Sequence, residues 1–207
     1  NLQNAVEVKE LSFKYFGSDE NIFSNININF KKNSHTVITG PNGSGKSTLL
    51  GLIAGLYIPQ YGNVSTYTDK IGYVGVNPLI ISGSLEENLI YGNKKDISDN
   101  EMYKLIDKFS LFEEEKFDLK KLISIKNLSS GQMQKISFMR ALLNDVELLI
   151  LDESTANLDK RTKDLIFDIL EKKHLTIINS THNEEDFNFD QHLNIIIENS
   201  QRKLNLN

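Results

Sequence analysis

The octapeptide Gly40-Pro41-Asn42-Gly43-Ser44-Gly45-Lys46-Ser47 follows the apolar run Thr36-Val37-Ile38-Thr39 and precedes Thr48-Leu49-Leu50-Gly51-Leu52-Ile53. This order reads as a strand that turns into a glycine-rich loop and then into a helix. Glycines let the backbone curl so that successive N–H groups point inward at one anion, and the positive end of the following helix adds to the attraction. Lys46 brings a point charge for β- and γ-phosphates, Ser47 a hydroxyl for Mg²⁺, and Thr48 the next polar group at the helix start. The loop therefore predicts a bound nucleotide, with Gly40, Asn42, Gly43, Ser44, Gly45, Lys46, Ser47 and Thr48 around its phosphates.

A chain of 207 residues suffices for one large domain with a continuous core. Its formal net charge of −5 argues against a surface built to neutralise nucleic-acid phosphates, so no nucleic-acid partner is expected. Cysteine is absent, which excludes disulfides and cysteine metal clusters and suits a reducing compartment. The longest apolar stretch, residues 49–58, is too short for a membrane span and contains Gly51 and Gly55. Acidic and polar residues occupy positions 1–10, where a secretory leader would carry a basic start and an apolar block. No direct membrane insertion is expected.

Strand signals occur at residues 6–13, at 22–30 with alternation through Ile26, Ile28 and Phe30, at 36–39 and at 71–74, and residues 57–63 carry strong turn chemistry. In the middle of the chain the pattern changes. Ser84-Leu85-Glu86-Glu87 and Ser98-Asp99-Asn100-Glu101 each fit a capping box, which predicts a small, charged helical segment over about 84–126. Aliphatic strands return at 147–151, 175–179 and 194–198, with an amphipathic helix over 159–173 between the first two. Alternating strands and helices predict crossover units and a mostly parallel sheet, whose strands are buried on both faces.

Two further motifs carry chemistry. Leu148-Leu149-Ile150-Leu151-Asp152-Glu153 sets two carboxylates at the C-terminal end of a buried strand, where open α/β sheets bind ligands. Asp152 is the natural partner of Ser47 for Mg²⁺, and Glu153 is placed to orient or deprotonate an attacking water. Leu128-Ser129-Ser130-Gly131-Gln132 heads a helical run over 133–143, with Ser and Gly suited to its N-terminal cap. One phosphate does not readily accept two helix ends of the same subunit, so this second loop points to a second nucleotide.

With these segments in order, the chain resembles an ATP-binding cassette, the nucleotide-binding domain of ABC transporters. Residues 128–132 resemble the signature LSGGQ with one Gly replaced by Ser, and Ser154-Thr155-Ala156-Asn157-Leu158-Asp159 resembles the D-loop after the Walker B acids. Ser180-Thr181-His182 resembles the switch-histidine segment, and Phe13-Lys14-Tyr15 the aromatic A-loop. The resemblance covers about 6–197. It implies an α/β fold: a P-loop NTPase core with a mostly parallel sheet over about 36–83 and 127–207, an antiparallel β-rich part over about 1–35, and a helical subdomain over about 84–126.

The resemblance also implies roles. ATP and Mg²⁺ are the expected ligands, with Ser47 and Asp152 toward the metal and Lys46, Glu153 and His182 catalytic. Tyr15 is expected to stack on adenine, with Phe16 second to it and a place in the core as the other reading. Cassettes of this family pair head to tail, so Ser129, Ser130, Gly131 and Gln132 of one copy are expected to complete the ATP site of another. Asp159 is expected to link the two sites, or to cap the helix it precedes, or both. Expected partners are thus a second cassette and a transmembrane domain, in the same chain or another, at the cytoplasmic face of a membrane.

The pattern is broken in one place. Where related cassettes carry Pro-Gln after the strand at 71–74, this chain reads Gly75-Val76-Asn77-Pro78. Val76 has no side-chain polar atom for a metal or water, and Asn77 is the nearest side chain that could replace it. This leaves open a cassette that binds ATP for regulation and hydrolyses it weakly. Residues 80–89 resemble the exporter type, although 120–126 lack the glutamate- and glycine-containing stretch that exporters place before the signature. The first residue, Asn1 rather than Met, suggests a domain cut from a longer polypeptide.

Overall fold

The computed structural model describes residues 3–93, 95–112, 118–182, 188–199 and 201–207. In chain order its elements are β1 (Asn4–Phe13), β2 (Phe23–Lys31), β3 (His35–Thr39), α1 (Lys46–Ile53), β4 (Tyr61–Thr66), β5 (Ile71–Val74), β6 (Gly83–Ser84), α2 (Leu85–Ile90), α3 (Asp99–Phe109), β7 (Leu122–Ile123), α4 (Ser130–Leu143), β8 (Leu148–Asp152), α5 (Lys160–Glu171), β9 (Thr176–Ser180), β10 (Gln191–Glu198) and β11 (Gln201–Leu206). Positions 94 and 113–117 of the predicted helical segment lie outside the described residues.

The chain divides into two compact units. The first comprises residues 1–73, 147–153 and 174–207. Its larger sheet has the order β11-β10-β3-β9-β8-β5. Within it β10, β3, β9 and β8 run parallel, and β11 closes one edge antiparallel to β10. Every residue of β8 and β9 is buried, as expected of parallel strands covered on both faces. A second sheet, antiparallel and ordered β2-β1-β4, contributes its inward side chains to the same core. Val6, Leu11, Phe23 and Phe30 there join Leu49 and Leu50 of α1 and Leu148, Ile150 and Ile178 of the larger sheet in one cluster. Burial of each large aliphatic side chain contributes about 1.5–3 kcal/mol.

The second unit, residues 74–146 and 154–173, carries the helices α2 to α5 and the short pair β6-β7. α4 packs on α2 and α3, and Met102, Ile106, Phe109, Ile136, Phe138 and Met139 are buried there. Both predicted capping boxes form. Ser84 and Ser98 accept from the amides of Glu87 and Glu101, whose carboxylates reach back to the cap amides.

Two expectations differ from the structure, at 61–63 and at 122–123, and β11 is a strand for which the sequence raised none. Residues 61–63, read as turn, begin β4, because Gly62 adopts φ +75° at a bulge where β1 approaches closely. A Cβ there would lie 2.3 Å from Lys9 O, so the residue that reads as a turn permits the strand pairing. β11 gives a weak signal, since Leu204 and Leu206 alternate with polar residues on an edge strand. Within the predicted helical segment, residues 122–123 form β7 against β6.

Candidate nucleotide site

Register explains why distant motifs meet in the first unit. In the adjacent parallel strands β3, β9 and β8, Ile38 pairs with Ser180 and Ser180 with Asp152. The phosphate loop after β3, His182 after β9 and Glu153 after β8 therefore leave the sheet at one level, at the C-terminal ends where such sheets bind ligands.

The loop at 40–45 has the backbone its glycines predict. Gly40, Gly43 and Gly45 take φ values of +151°, +77° and +100°. A Cβ on Gly40 would lie 2.4 Å from Ile195 O, so no other residue fits without displacing β10. α1 begins at Lys46 with Gly45 as its cap residue and no side-chain cap. In contrast, α2, α3, α4 and α5 are capped by the side chains of Ser84, Ser98, Ser129 and Asp159. The first-turn amides of α1 thus lack the side-chain oxygen that the other helices receive, as suits an anion-binding helix end.

Lys46 is buried, and its Nζ donates to Gly40 O at 2.9 Å and Pro41 O at 3.4 Å. The same ammonium lies 3.6 Å from Glu153 Oε1, and His182 Nε2 lies 3.0 Å from that oxygen. Glu153 occupies left-handed backbone at φ +48°, and its amide donates to Ser180 O at 3.1 Å and Ser180 Oγ at 3.2 Å. A non-glycine residue in that conformation costs about 1–2 kcal/mol, and such strain concentrates at functional sites.

Asp152 is buried and fully engaged. Its Oδ1 accepts from Ser47 Oγ at 2.9 Å and Ser180 Oγ at 2.8 Å, and its Oδ2 accepts from Tyr73 OH at 2.9 Å. Burial pushes the Tyr73 phenol far above its ordinary pKa, and the Asp152 charge pushes it further, so the hydroxyl remains a neutral donor. Ser47 and Asp152 together present hard oxygen atoms that fit Mg²⁺. Among the described residues no cluster of three His, Cys, Asp or Glu side chains could hold a metal by itself. Mg²⁺ commonly takes one or two protein oxygens and completes its shell with phosphate and water.

Tyr15 is 39% exposed, which sets it apart from the core, and its hydroxyl lies 2.8 Å from Thr48 Oγ1. Its ring stands edge-on to Phe13 and Tyr57, while Phe16 is fully exposed. Asn42 and Gly43 are exposed on the loop, and Ser44 is buried beneath it.

The second unit holds the signature residues. Ser129 caps α4, accepting from the Gln132 amide at 3.1 Å while its own amide donates to Gln132 Oε1 at 2.9 Å. Ser130 opens the helix. A cavity of ≈ 600 Å³ is lined by Ser129, Gly131, Gln132, Lys135, Asn157 and Asp159, among others. Signature and D-loop residues thus share one concave surface. Asp159 is the N-cap of α5, accepting from the Thr162 amide at 2.9 Å and Thr162 Oγ1 at 2.8 Å. These bonds, the backbone one first, hold its carboxyl below the ordinary range. Val76 and Asn77 are exposed residues of this unit.

Sequence reasoning gave no role to Tyr73, Ser180 or Lys135. Tyr73 reads as one more aromatic on a strand, and only the neighbouring strand ends reveal that its hydroxyl meets Asp152.

A model of the family described as ABC transporter matches residues 23–156, more than half of the chain. The ATP-dependent permease MDL1 of Candida albicans is 32% identical, over 87% of this chain and 30% of the permease. The energy-coupling factor transporter ATP-binding protein EcfA1 of Mycoplasma mobile is 33% identical, over 87% of this chain and 72% of that protein. Among solved structures, a bacterial Atm1-family ABC exporter with ATP bound shares the fold with a TM-score of 0.84 at 21% identity, over 98% of this chain and 38% of the exporter chain. The chain spans less than half the length of the permease and of the exporter. Among the described residues no helix is long and apolar enough to cross a membrane. With the family match extending from β2 past the Asp152-Glu153 pair, the chain belongs to the ABC transporter family, in which it is an ATP-binding domain and an ATPase.

Proposed function

We propose that this domain binds ATP with Mg²⁺, closes head to tail against a second cassette, and through hydrolysis drives the transmembrane partner of an exporter. One observation carries the reading: Lys46, Glu153 and His182 converge at 3.6 and 3.0 Å beside the bonded pair Ser47 and Asp152. Lys46 holds the β- and γ-phosphates. Glu153 accepts a proton from the water that attacks the γ-phosphorus, while the bridging oxygen leaves with ADP. His182 contacts the γ-phosphate and steadies Glu153. Ser47 and Asp152 are the residues that would hold Mg²⁺, which when bound offsets charge on the phosphate oxygens.

Other parts of the reading rest on separate observations. The partial exposure of Tyr15 beside Thr48 supports its stacking on adenine, with Gly40, Asn42, Gly43, Ser44 and Gly45 around the phosphates. The shared cavity supports the service of Ser129, Gly131, Gln132 and Asp159 to the ATP of the second copy, with Ser130 beside them at the start of α4. The likeness in sequence to a permease and in fold to an exporter supports a transmembrane partner, the export direction and a place at the cytoplasmic membrane face. In this reading the two units are parts of one cassette.

Glu153→Gln tests the proposal. It is expected to keep ATP affinity, to lower turnover by at least about 10²-fold, and to give an ATP-dependent dimer in size exclusion with light scattering. Full hydrolysis by this variant would remove Glu153 from the reaction, and a monomer in saturating ATP would remove the paired site.

A further inference from the structure

Tyr73 lies on β5, the neighbour of β8 in the larger sheet, and its hydroxyl donates to Asp152 Oδ2 at 2.9 Å. The opposite oxygen, Oδ1, accepts from Ser47 and Ser180. The donors divide the carboxylate into two sides. Tyr73 occupies the oxygen remote from Ser47, and Oδ1 is the oxygen presented toward the Ser47 hydroxyl.

A carboxylate that ligates a metal depends on its outer hydrogen bonds for orientation, and their loss commonly lowers metal affinity about 10–100-fold. Two features suit Tyr73 to that task. Its phenol is rigid, with two side-chain torsions, so the hydroxyl reaches a fixed point. Asp152 is 5% exposed while Tyr73 is 38% exposed, so the phenol covers the Oδ2 side of a buried carboxylate.

We propose that Tyr73 is a positioning residue for the metal side of the ATP site, fixing Asp152 through Oδ2 so that Oδ1 and Ser47 Oγ face one cation. This rests on the reading of Ser47 and Asp152 as Mg²⁺ ligands. In that arrangement the hydroxyl of Tyr73 touches neither metal nor nucleotide. Its effect is confined to the metal-dependent part of binding.

The test uses Mn²⁺ as the probe, with a non-hydrolysable ATP analogue and the full chain. Free Mn²⁺ is read by its electron paramagnetic resonance signal, and analogue affinity is measured separately in EDTA. Tyr73→Phe removes one oxygen atom and is expected to weaken Mn²⁺ binding about tenfold, with analogue affinity in EDTA unchanged. A merely structural tyrosine would move both affinities or neither. Should the phenylalanine variant fail to fold, Tyr73→Leu, which also lacks the hydroxyl, takes its place with the same expected loss. Asp152→Asn runs beside them. If it weakens Mn²⁺ binding and the Tyr73 variants do not, the positioning role is overturned and the metal reading stands. If Asp152→Asn also leaves Mn²⁺ binding intact, the metal reading itself fails, and the role of Tyr73 with it.

Discussion

His182 Nε2 stands 3.0 Å from Glu153 Oε1, joining the ends of two adjacent parallel strands through their side chains. The contact adds a side-chain tie to the two hydrogen bonds from the Glu153 amide to Ser180 that hold its left-handed backbone. Removing the imidazole takes from the carboxylate one of its two nitrogen neighbours, Lys46 Nζ being the other. His182→Ala is therefore expected to lower kcat about 10²-fold with little change in ATP affinity, measured by steady-state hydrolysis and equilibrium titration. Unchanged kcat would take His182 out of the reacting group.

Lys46 is buried, with its ammonium held at Gly40 O and near Glu153 and so desolvated. A charge-assisted hydrogen bond formed from such a position contributes about 1.5–3 kcal/mol. Lys46→Ala should weaken ATP binding about 10–100-fold, read by titration with a fluorescent ATP analogue. Unchanged affinity would contradict the assignment of the loop.

The glycines of the loop are not equivalent. A Cβ on Gly40 meets Ile195 O at 2.4 Å, whereas on Gly43 it meets nothing within 4 Å, although both have positive φ. Gly40→Ala is expected to cost about 2–4 kcal/mol from clash and strain together, and Gly43→Ala about 1–2 kcal/mol from strain alone. Urea denaturation midpoints separate them, and equal losses would mean that close packing on β10 does not constrain the loop.

Asp159 offers a pH-dependent test. Its carboxyl lies below the ordinary range because the Thr162 amide and hydroxyl bond to the ionised form. A depressed carboxylate contributes stability that is full above its unfolded pKa, about 3.9, and is lost as pH falls through the lower folded value. Asp159→Ala should cost about 1 kcal/mol at pH 7, and the part of that difference owed to the charge should shrink as pH falls from about 3.9 through the lower folded value. Asp159→Asn keeps the cap, since Asn and Asp are nearly equal there. A fall in hydrolysis by the Asn variant at unchanged stability would assign Asp159 a second duty beyond capping α5.

The legible parts of this chain are those where one physical demand leaves few residue choices. A strand buried on both faces must be aliphatic, and residues 148–151 are. A backbone folded around an anion must use glycine, and the first helix must forgo a capping side chain. Asp152 and Glu153 followed from their place at a strand end. β4 was hidden because Gly62 serves a close approach of strands and not a turn. β11 was hidden because an edge strand needs only alternate apolar residues. Tyr73 was hidden for another reason: its partner lies 79 residues away, and register across the sheet brings them together.

The bare start of α1 has a thermodynamic consequence. Where α2 to α5 carry their own terminal acceptor, α1 takes its acceptor from solution, and the nucleotide phosphate becomes a movable part of the secondary structure. Occupancy and fold are then linked: at a nucleotide concentration a hundred times Kd the native state gains about 2.7 kcal/mol. The melting temperature of this domain should therefore rise with nucleotide concentration, and the nucleotide-free cassette is the form most exposed to unfolding.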